Sequence, residues 1–407
     1  MSVRRVAMLS VHTSPLDQPG SGDGGGMNVY VASLASALTR AGVECDVLTR
    51  AEGVHSPGVV EIEPGVRVVH LAAGGQEAMP KYALPEVLGE FTDAANNYIG
   101  GRSFDALHAH YWLSGAVGHQ LKHDLGLPLV TTFHTLAATK AAAGIHDDPI
   151  TRVGTEREIV ACADRIIASA PDEAEELLTT YGARTEKVEV IPPGVDHELF
   201  SPGDRHRNRQ RLGLDVGLPI LLFVGRIQPL KGVDRALRAL AELPDPRALL
   251  VVVGGPSGAD GEDEMARLKA LAQQLGIVDR VRWVSPQPHG ALASWYRAAD
   301  VCLVPSRTES FGLVALEAAA CGLPVVATDV GGLQSLVDDG ETGFLVDAHG
   351  GEEFAAPIAQ LMADPALAAE IGARAAARSG RYAWSMTAAR LRRIYADVGA
   401  YEPVFCR

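Results

Sequence analysis

Ile220-Leu221-Leu222-Phe223-Val224-Gly225-Arg226 is a short run, apolar on both faces, that stops at a glycine. A strand of that kind must be buried on two sides, as it is in a parallel sheet covered by helices. Similar runs recur along the chain. Arg5–Ser10, Cys45–Arg50, Val66–Ala72, Ala106–Tyr111, Leu129–Phe133, Arg165–Ala170 and Val188–Ile191 precede it; Ala248–Gly254, Val281–Ser285, Val301–Pro305, Pro324–Thr328 and Gly343–Val346 follow. Helical stretches separate them, so the chain reads β/α from end to end.

The 407 residues, 47% of them apolar, exceed one ordinary core and suit two. The break falls at Pro192-Pro193-Gly194-Val195-Asp196, where two prolines and a glycine stop regular structure before the polar Ser201–Arg211. The expected fold is α/β: two doubly wound, Rossmann-like parallel-sheet domains, residues 1–196 and 197–383, with the cleft between them as the ligand site. The last helical stretch, Trp384–Val398 within residues 384–407, is expected to cross back to the first domain. The plainer alternative is a terminal helix packed on its own domain.

The formal net charge of −14 argues against nucleic-acid binding, which needs a basic surface. It leaves room for an anionic small ligand, because a few local cations outweigh a distant field. The five cysteines (Cys45, Cys162, Cys302, Cys321 and Cys406) are irregularly spaced and form no CxxC, which suggests neither a zinc site nor a disulfide framework. Reduced thiols of a cytoplasmic protein are expected. The first ten residues lack a signal-peptide core, and no apolar run approaches the ~20 residues of a membrane span.

Three stretches carry chemistry. The first is Gly20-Ser21-Gly22-Asp23-Gly24-Gly25-Gly26-Met27-Asn28. It contains GxGxxG, but nine residues separate it from the end of the first strand at Ser10, so a dinucleotide fingerprint is rejected. Gly24–Gly26, Gly25 and Gly26 among them, instead expose N–H groups before a helix, Asn28–Arg40, where an anion can sit and Asn28 adds an orienting amide.

The second stretch spans two strand ends. His108 and His110 share one face of a strand and read as packed structural residues. Tyr111 and Trp112 follow at the strand end, where ligands of open sheets bind. His134, in Thr131-Thr132-Phe133-His134-Thr135, is placed to orient a hydroxyl or carbonyl. Lys81, Lys140 and Arg152, each taken alone, read as solvated charges.

The third stretch is the strongest signal. Arg226 ends the strand quoted above and Lys231-Gly232 follows five residues on, two cations fit to neutralise a diphosphate. Pro305-Ser306-Arg307-Thr308-Glu309-Ser310-Phe311-Gly312 then opens a helix at Leu313 that carries Glu317 roughly 7 Å along it. One carboxylate can hold a sugar and the other ribose hydroxyls, while the N–H groups of Gly312 and Leu313 take phosphate. Pro286-Gln287-Pro288 is expected to frame the base. No Asp-x-Asp pair stands at a strand end, so no metal is required to hold the diphosphate.

Gly225-Arg226, Lys231-Gly232, Glu309-Ser310-Phe311-Gly312, Glu317-Ala318 and Cys321-Gly322 together resemble the retaining GT-B glycosyltransferases of family GT4. The first half resembles the mycothiol-pathway branch of that family through His12-Thr13-Ser14-Pro15-Leu16, Gly25-Gly26-Met27-Asn28-Val29-Tyr30, His108-Ala109-His110-Tyr111-Trp112-Leu113-Ser114-Gly115 and His134-Thr135-Leu136-Ala137. Sucrose-phosphate synthases are more distant relatives. The resemblance implies a cytoplasmic homodimer that moves N-acetylglucosamine from UDP-N-acetylglucosamine to 1D-myo-inositol 3-phosphate. It implies His12, Lys81, Tyr111, Thr135 and Arg152 at the acceptor, and Gly25, Gly26, Asn28, Arg226, Lys231, Gln287, Glu309, Phe311, Gly312, Leu313 and Glu317 at the donor. His134, Arg226, Lys231 and Glu309 are the expected catalytic residues. Tyr296, Arg297 and Ala299 would hold a peripheral Mg2+, through main-chain oxygens, that catalysis does not need.

Three departures stand out. Thr131-Thr132-Phe133-His134-Thr135 replaces the family's His-Thr-Ala-His-Thr, Gln287 replaces an arginine near the uracil, and Ala141–Ile150 is rich in Ala and Gly where the family is polar. Rival readings are a same-branch enzyme acting on a sugar phosphate or on a thiol such as ergothioneine, a nucleotide-sugar epimerase, and a non-catalytic nucleotide-sugar binder. Lys81 and Arg152 favour a phosphorylated acceptor.

Overall fold

A computed structural model describes residues 3–20, 22, 24–53, 56–145, 149–258 and 261–400. Ser21, Asp23, Cys406 and positions 146–148 of the Ala/Gly-rich stretch lie outside the described residues. The chain divides into two compact units: Met1–Asp17, Gly26–Gly194 and Trp384–Arg407 form one, and Gln18–Gly25 with Val195–Ala383 the other. The glycine stretch up to Gly25 is therefore counted with the second unit, not with the residues on either side of it.

The first unit is built on β1 (Arg5–Leu9), β2 (Glu44–Arg50), β3 (Gly58–Glu63), β4 (Val66–Leu71), β5 (Ala106–His110), β6 (Leu129–Thr132), β7 (Arg165–Ala168) and β8 (Val188–Val190). Their order is β3-β4-β2-β1-β5-β6-β7-β8. All neighbours are parallel except β3 and β4, an antiparallel hairpin turned at Pro64-Gly65. The all-parallel expectation fails there because β3 is an exposed edge strand that nothing covers on either face. Six helices fill the crossovers: α1 (Gly26–Arg40), α2 (Leu88–Gly100), α3 (Trp112–Leu125), α4 (Ala137–Ala142), α5 (Arg152–Cys162) and α6 (Pro171–Thr179). The first begins two residues earlier than its sequence pattern indicates.

The second unit has β9 (Ile220–Val224), β10 (Leu249–Val253), β11 (Val281–Val284), β12 (Val301–Val304), β13 (Val325–Thr328) and β14 (Gly343–Val346), all parallel, in the order β11-β10-β9-β12-β13-β14. Its helices are α7 (Arg205–Arg211), α8 (Val233–Glu242), α9 (Gly261–Gln274), α10 (His289–Ala298), α11 (Leu313–Ala320), α12 (Leu333–Leu336), α13 (Ala355–Ala363) and α14 (Pro365–Ser379). The chain ends in α15 (Trp384–Val398), whose Trp384, Ala388, Leu391, Ile394, Tyr395 and Val398 pack into the first unit's core beside Tyr30 and Leu34.

Strand alternation explains why each sheet has two cores. Leu222, Val251, Val253, Cys302 and Val304 face one apolar layer; Leu221, Phe223, Leu250, Val252 and Leu303 face the other. Each strand order also reverses once, between β1 and β5 and between β9 and β12. The loops leaving those strands open a crevice at the carboxyl edge of each sheet. Among the described residues no helix is long and apolar enough to cross a membrane.

Candidate active site

In the second unit Arg226, Lys231, Glu309, Phe311 and Gly312, expected at the donor, follow β9 and β12, the two strands at the reversal point. Arg226 follows β9, and its guanidinium Nη1 donates to Ser257 Oγ at 3.4 Å. Gly25 lies against it; a Cβ there would come 3.0 Å from the Arg226 Nε. The rest of that glycine stretch is held to the same unit, since Gly255 N donates to Gly20 O at 3.0 Å, Ser257 Oγ donates to Gly22 O, and Gln18 Nε2 donates to Gln287 O at 2.6 Å.

Lys231 ends a short helical turn, Pro229–Lys231, and its ammonium donates to Glu309 Oε2 at 2.7 Å, an oxygen that also accepts from Ser306 Oγ at 3.1 Å. The turn is possible because Gly232 adopts φ 69° and a Cβ there would stand 2.0 Å from Pro305 O. Lys231 after β9 and Glu309 after β12 are thus locked together across the reversal point. Helix α11 then starts at Leu313, and its N-cap Gly312, φ 103°, makes no side-chain cap bond. The first N–H groups of a helix and its positive dipole end favour an anion. Phe311 is buried and its ring packs on Tyr382 with centroids 5.8 Å apart.

Glu317 is held by partners that the sequence reading missed. Its Oε1 accepts from His289 Nε2 at 2.6 Å and its Oε2 from the Tyr296 hydroxyl at 2.8 Å. Burial works against the charged form of His289, but the Glu317 carboxylate, its hydrogen bond and Asp196 outweigh burial and raise the pKa above the ordinary imidazole value. The pair therefore stabilises the fold fully below the unfolded imidazole pKa, and that stability is lost as pH rises through the raised folded value. We expect the melting-temperature gap between wild type and His289→Gln to be widest at mildly acidic pH and to close on raising the pH. A gap that widens with pH contradicts this.

The metal trio offers no carboxylate. The Tyr296 hydroxyl is committed to Glu317, Arg297 donates to Ser201 O at 2.7 Å and Leu199 O at 2.8 Å, and Ala299 is buried. All three stand at the C-terminal end of α10, where helical carbonyls run out of intrahelical donors.

In the first unit the five residues expected at the acceptor meet at the Tyr111 side chain and its neighbours. The Lys81 ammonium lies 4.1 Å from the Tyr111 ring centroid, the Arg152 guanidinium 4.7 Å, and the His12 ring 4.6 Å. Arg152 Nη1 donates to the Tyr111 hydroxyl at 2.9 Å, and Nη2 donates to Thr135 O at 2.6 Å and Thr135 Oγ1 at 3.2 Å. Neither Arg152 nor Lys140 is a solvated charge: they are 0% and 7% exposed. Arg152 is answered by Glu156, 0% exposed, at 2.7 Å. Trp112 starts α3 and, like Tyr111, is buried in the core. Asn28, also buried, turns its amide to Thr13 Oγ1 at 2.6 Å and Ser14 O at 2.5 Å, and so shapes the loop that carries His12.

Tyr111 (φ 77°) and His134 (φ 62°) are the two non-glycine residues with positive φ among those described. They stand at the ends of neighbouring strands β5 and β6, and such strained backbone concentrates at functional positions. His134 Nε2 meets His110 Nδ1 at 3.0 Å, and His108 is bonded to Tyr395 and Thr132 at 2.6 and 2.9 Å. Burial pushes the pKa of His134 and His108 down to about 3, with His134 adding to the shift at His108. His134 is neutral in the working range and supplies no positive charge.

Residues 24–199 match the family described as Glycosyltransferase Family 4, and residues 204–378 match Glycosyl transferases group 1. A D-inositol 3-phosphate glycosyltransferase of Thermobispora bispora is 47% identical over 97% of this chain and 95% of its own. A sucrose-phosphate synthase from Thermosynechococcus elongatus is 35% identical with a TM-score of 0.92, over 98% of this chain and 99% of that one. Anabaena HepE in complex with UDP-glucose has a TM-score of 0.76 at 23% identity over 97% and 99%, a likeness of GT-B fold alone. With both halves matched and nearly the whole length aligned, the chain belongs to the family-4 glycosyltransferases, and among them to the D-inositol 3-phosphate glycosyltransferase type.

Proposed function

We propose that the second unit binds a nucleoside diphosphate sugar, UDP-N-acetylglucosamine, and the first a small phosphorylated acceptor, 1D-myo-inositol 3-phosphate. The observation that supports the donor reading is the set of Arg226, Lys231 and the uncapped start of α11 at one reversal point. Negative charge grows on the departing diphosphate as the glycosidic bond breaks, and fixed cations and N–H groups stabilise that charge. Gly25 and Gly26 leave room beside the phosphates, with Gln287 at the base. Glu317 takes the ribose hydroxyls and Glu309 the sugar hydroxyls. The acceptor hydroxyl attacks the face the diphosphate leaves, its proton passing to a phosphate oxygen, so the anomeric configuration is retained.

The acceptor reading is supported by Lys81 and Arg152 on the Tyr111 ring, with His12 and Thr135 beside them. A phosphate matches that charge. His134, neutral, orients an acceptor hydroxyl. A Mg2+ ion at Tyr296, Arg297 and Ala299 would sit on main-chain carbonyls and cap α10, away from the transfer. We place the reaction in the cytoplasm, in a homodimer, and two chain masses by light scattering would support the dimer.

The 35% identity to a sucrose-phosphate synthase favours a second acceptor class, a hexose phosphate. A donor-by-acceptor matrix assayed for released nucleoside diphosphate separates the two. UDP-N-acetylglucosamine with inositol 3-phosphate should exceed every hexose phosphate by at least tenfold, and free inositol should be nearly inactive. Equal rates with free inositol would overturn the acceptor reading, and conversion of donor alone would indicate epimerisation.

A further inference from the structure

Helices α3 and α5 carry a second cluster away from Tyr111 and Arg152. His119 and His123 are four residues apart on α3 and share one face. Cys162 is the last residue of α5. One ligand atom from each lies within 4.8 Å of the others, the one such trio of His, Cys, Asp or Glu among the described residues. Cys162 Sγ is 3.4 Å from His123 Nε2, and the two imidazole centroids are 5.1 Å apart.

Those spacings suit a tetrahedral ion. Zinc at about 2.0–2.1 Å from an imidazole nitrogen and about 2.3 Å from a sulfur sets the two atoms about 3.5 Å apart. The helices are pressed together beside the cluster, since a Cβ on Gly115 would come 2.7 Å from Ile159 Cδ1. Gly115 is one turn before His119, and Ile159 one turn before Cys162. The nearby Lys122 ammonium donates to Asp164 Oδ2 at 2.8 Å and to the main-chain oxygen of Cys162 at 2.7 Å. Cys162 is 1% exposed, while both histidines are partly buried, which leaves the cluster a route for entry.

We propose that His119, His123 and Cys162 bind one zinc ion, with water in the fourth position. Two nitrogen donors and one sulfur select zinc over magnesium or calcium. Binding displaces the Cys162 thiol proton to solvent. The site lies about 15 Å along α5 from Arg152, too far to touch substrate, so the ion staples the two helices that begin beside Tyr111 and at Arg152. This inference stands whatever the acceptor proves to be.

The test is metal binding by the untagged full-length protein after chelator treatment. Zinc competed against a chromophoric chelator should show one equivalent per chain. Cobalt(II) should give tetrahedral d–d bands with a thiolate charge-transfer band. Cys162→Ser and His123→Gln, which remove ligands outright, should each weaken zinc by more than the roughly 10-fold minimum seen on losing a mere outer-shell partner, and His349→Gln, at an exposed histidine, should change nothing. His119→Gln, on the helix surface, serves if Cys162→Ser does not fold. No zinc bound, cobalt without the thiolate band, or unchanged affinity in the ligand variants would each overturn the proposal.

Discussion

Replacing Lys231 by alanine is expected to lower kcat/KM by about 10²–10³ and to leave thermal stability nearly unchanged. The Lys231 ammonium is 2.7 Å from Glu309, with side chains 25% and 16% exposed. Pairs so close to solvent contribute about 0–1 kcal/mol to folding. Glu309 also keeps Ser306 as a donor once the lysine is gone. On the proposed mechanism the same ammonium meets charge that appears as the diphosphate leaves, and one such fixed donor is worth about 2.7–4 kcal/mol. Because that charge develops in the transition state, kcat should fall more than the KM for donor rises. If Arg226 acts on the same charge, as proposed, the Arg226→Ala/Lys231→Ala pair should lose less than the product of the two single losses. Steady-state kinetics at saturating acceptor, with a melting curve for each variant, decide it. A normal kcat, or a melting point that falls in step with activity, would remove Lys231 from the mechanism.

How much of this was legible beforehand follows from the range of each interaction. β9 and β10 are apolar on both faces because both faces are covered, so the run of residues alone reveals a parallel sheet. Arg226, Lys231 and Glu309 stand out because each follows a strand end by a few residues. β3 was missed because it is an exposed edge strand without a buried face to impose a pattern. His289 was missed because it lies 28 residues before Glu317, and the turn into α10 brings the two together. Glu156 escaped notice in the same way: it reads as one more acid on a helix until its burial beside Arg152 is seen. The Gly20–Gly25 stretch carries no apolar period, so nothing in it indicates that it belongs with residues more than 200 positions away. The zinc-like cluster was invisible for a related reason, since its histidines and its cysteine sit on separate helices.

Arg152→Ala is expected to do the reverse of Lys231→Ala and cost the fold first. The Arg152 guanidinium is fully buried and satisfies Glu156, Tyr111 and Thr135 at once. Without it, Glu156 remains buried, with the Ala137 N–H at 3.1 Å and the Tyr181 hydroxyl at 2.5 Å as its donors and no cation beside it. Breaking a buried pair from one side costs about 3–5 kcal/mol. At about 2–4 °C per kcal/mol for a unit of this size, the melting point should fall by roughly 10 °C. Arg152→Met/Glu156→Gln replaces the pair by neutral groups of similar volume and should recover most of that loss. It should not recover activity, because the Tyr111 hydroxyl and Thr135 stay unanchored and one of the two cations proposed for an acceptor phosphate is gone. The expected signature is a double variant that melts close to wild type, with a KM for acceptor raised at least tenfold and a KM for donor unchanged. A single variant that melts with wild type would show that Glu156 needs no cation. A double variant with normal acceptor kinetics would reduce Arg152 to a structural brace, and the phosphate would have to be held by Lys81 and its neighbours alone.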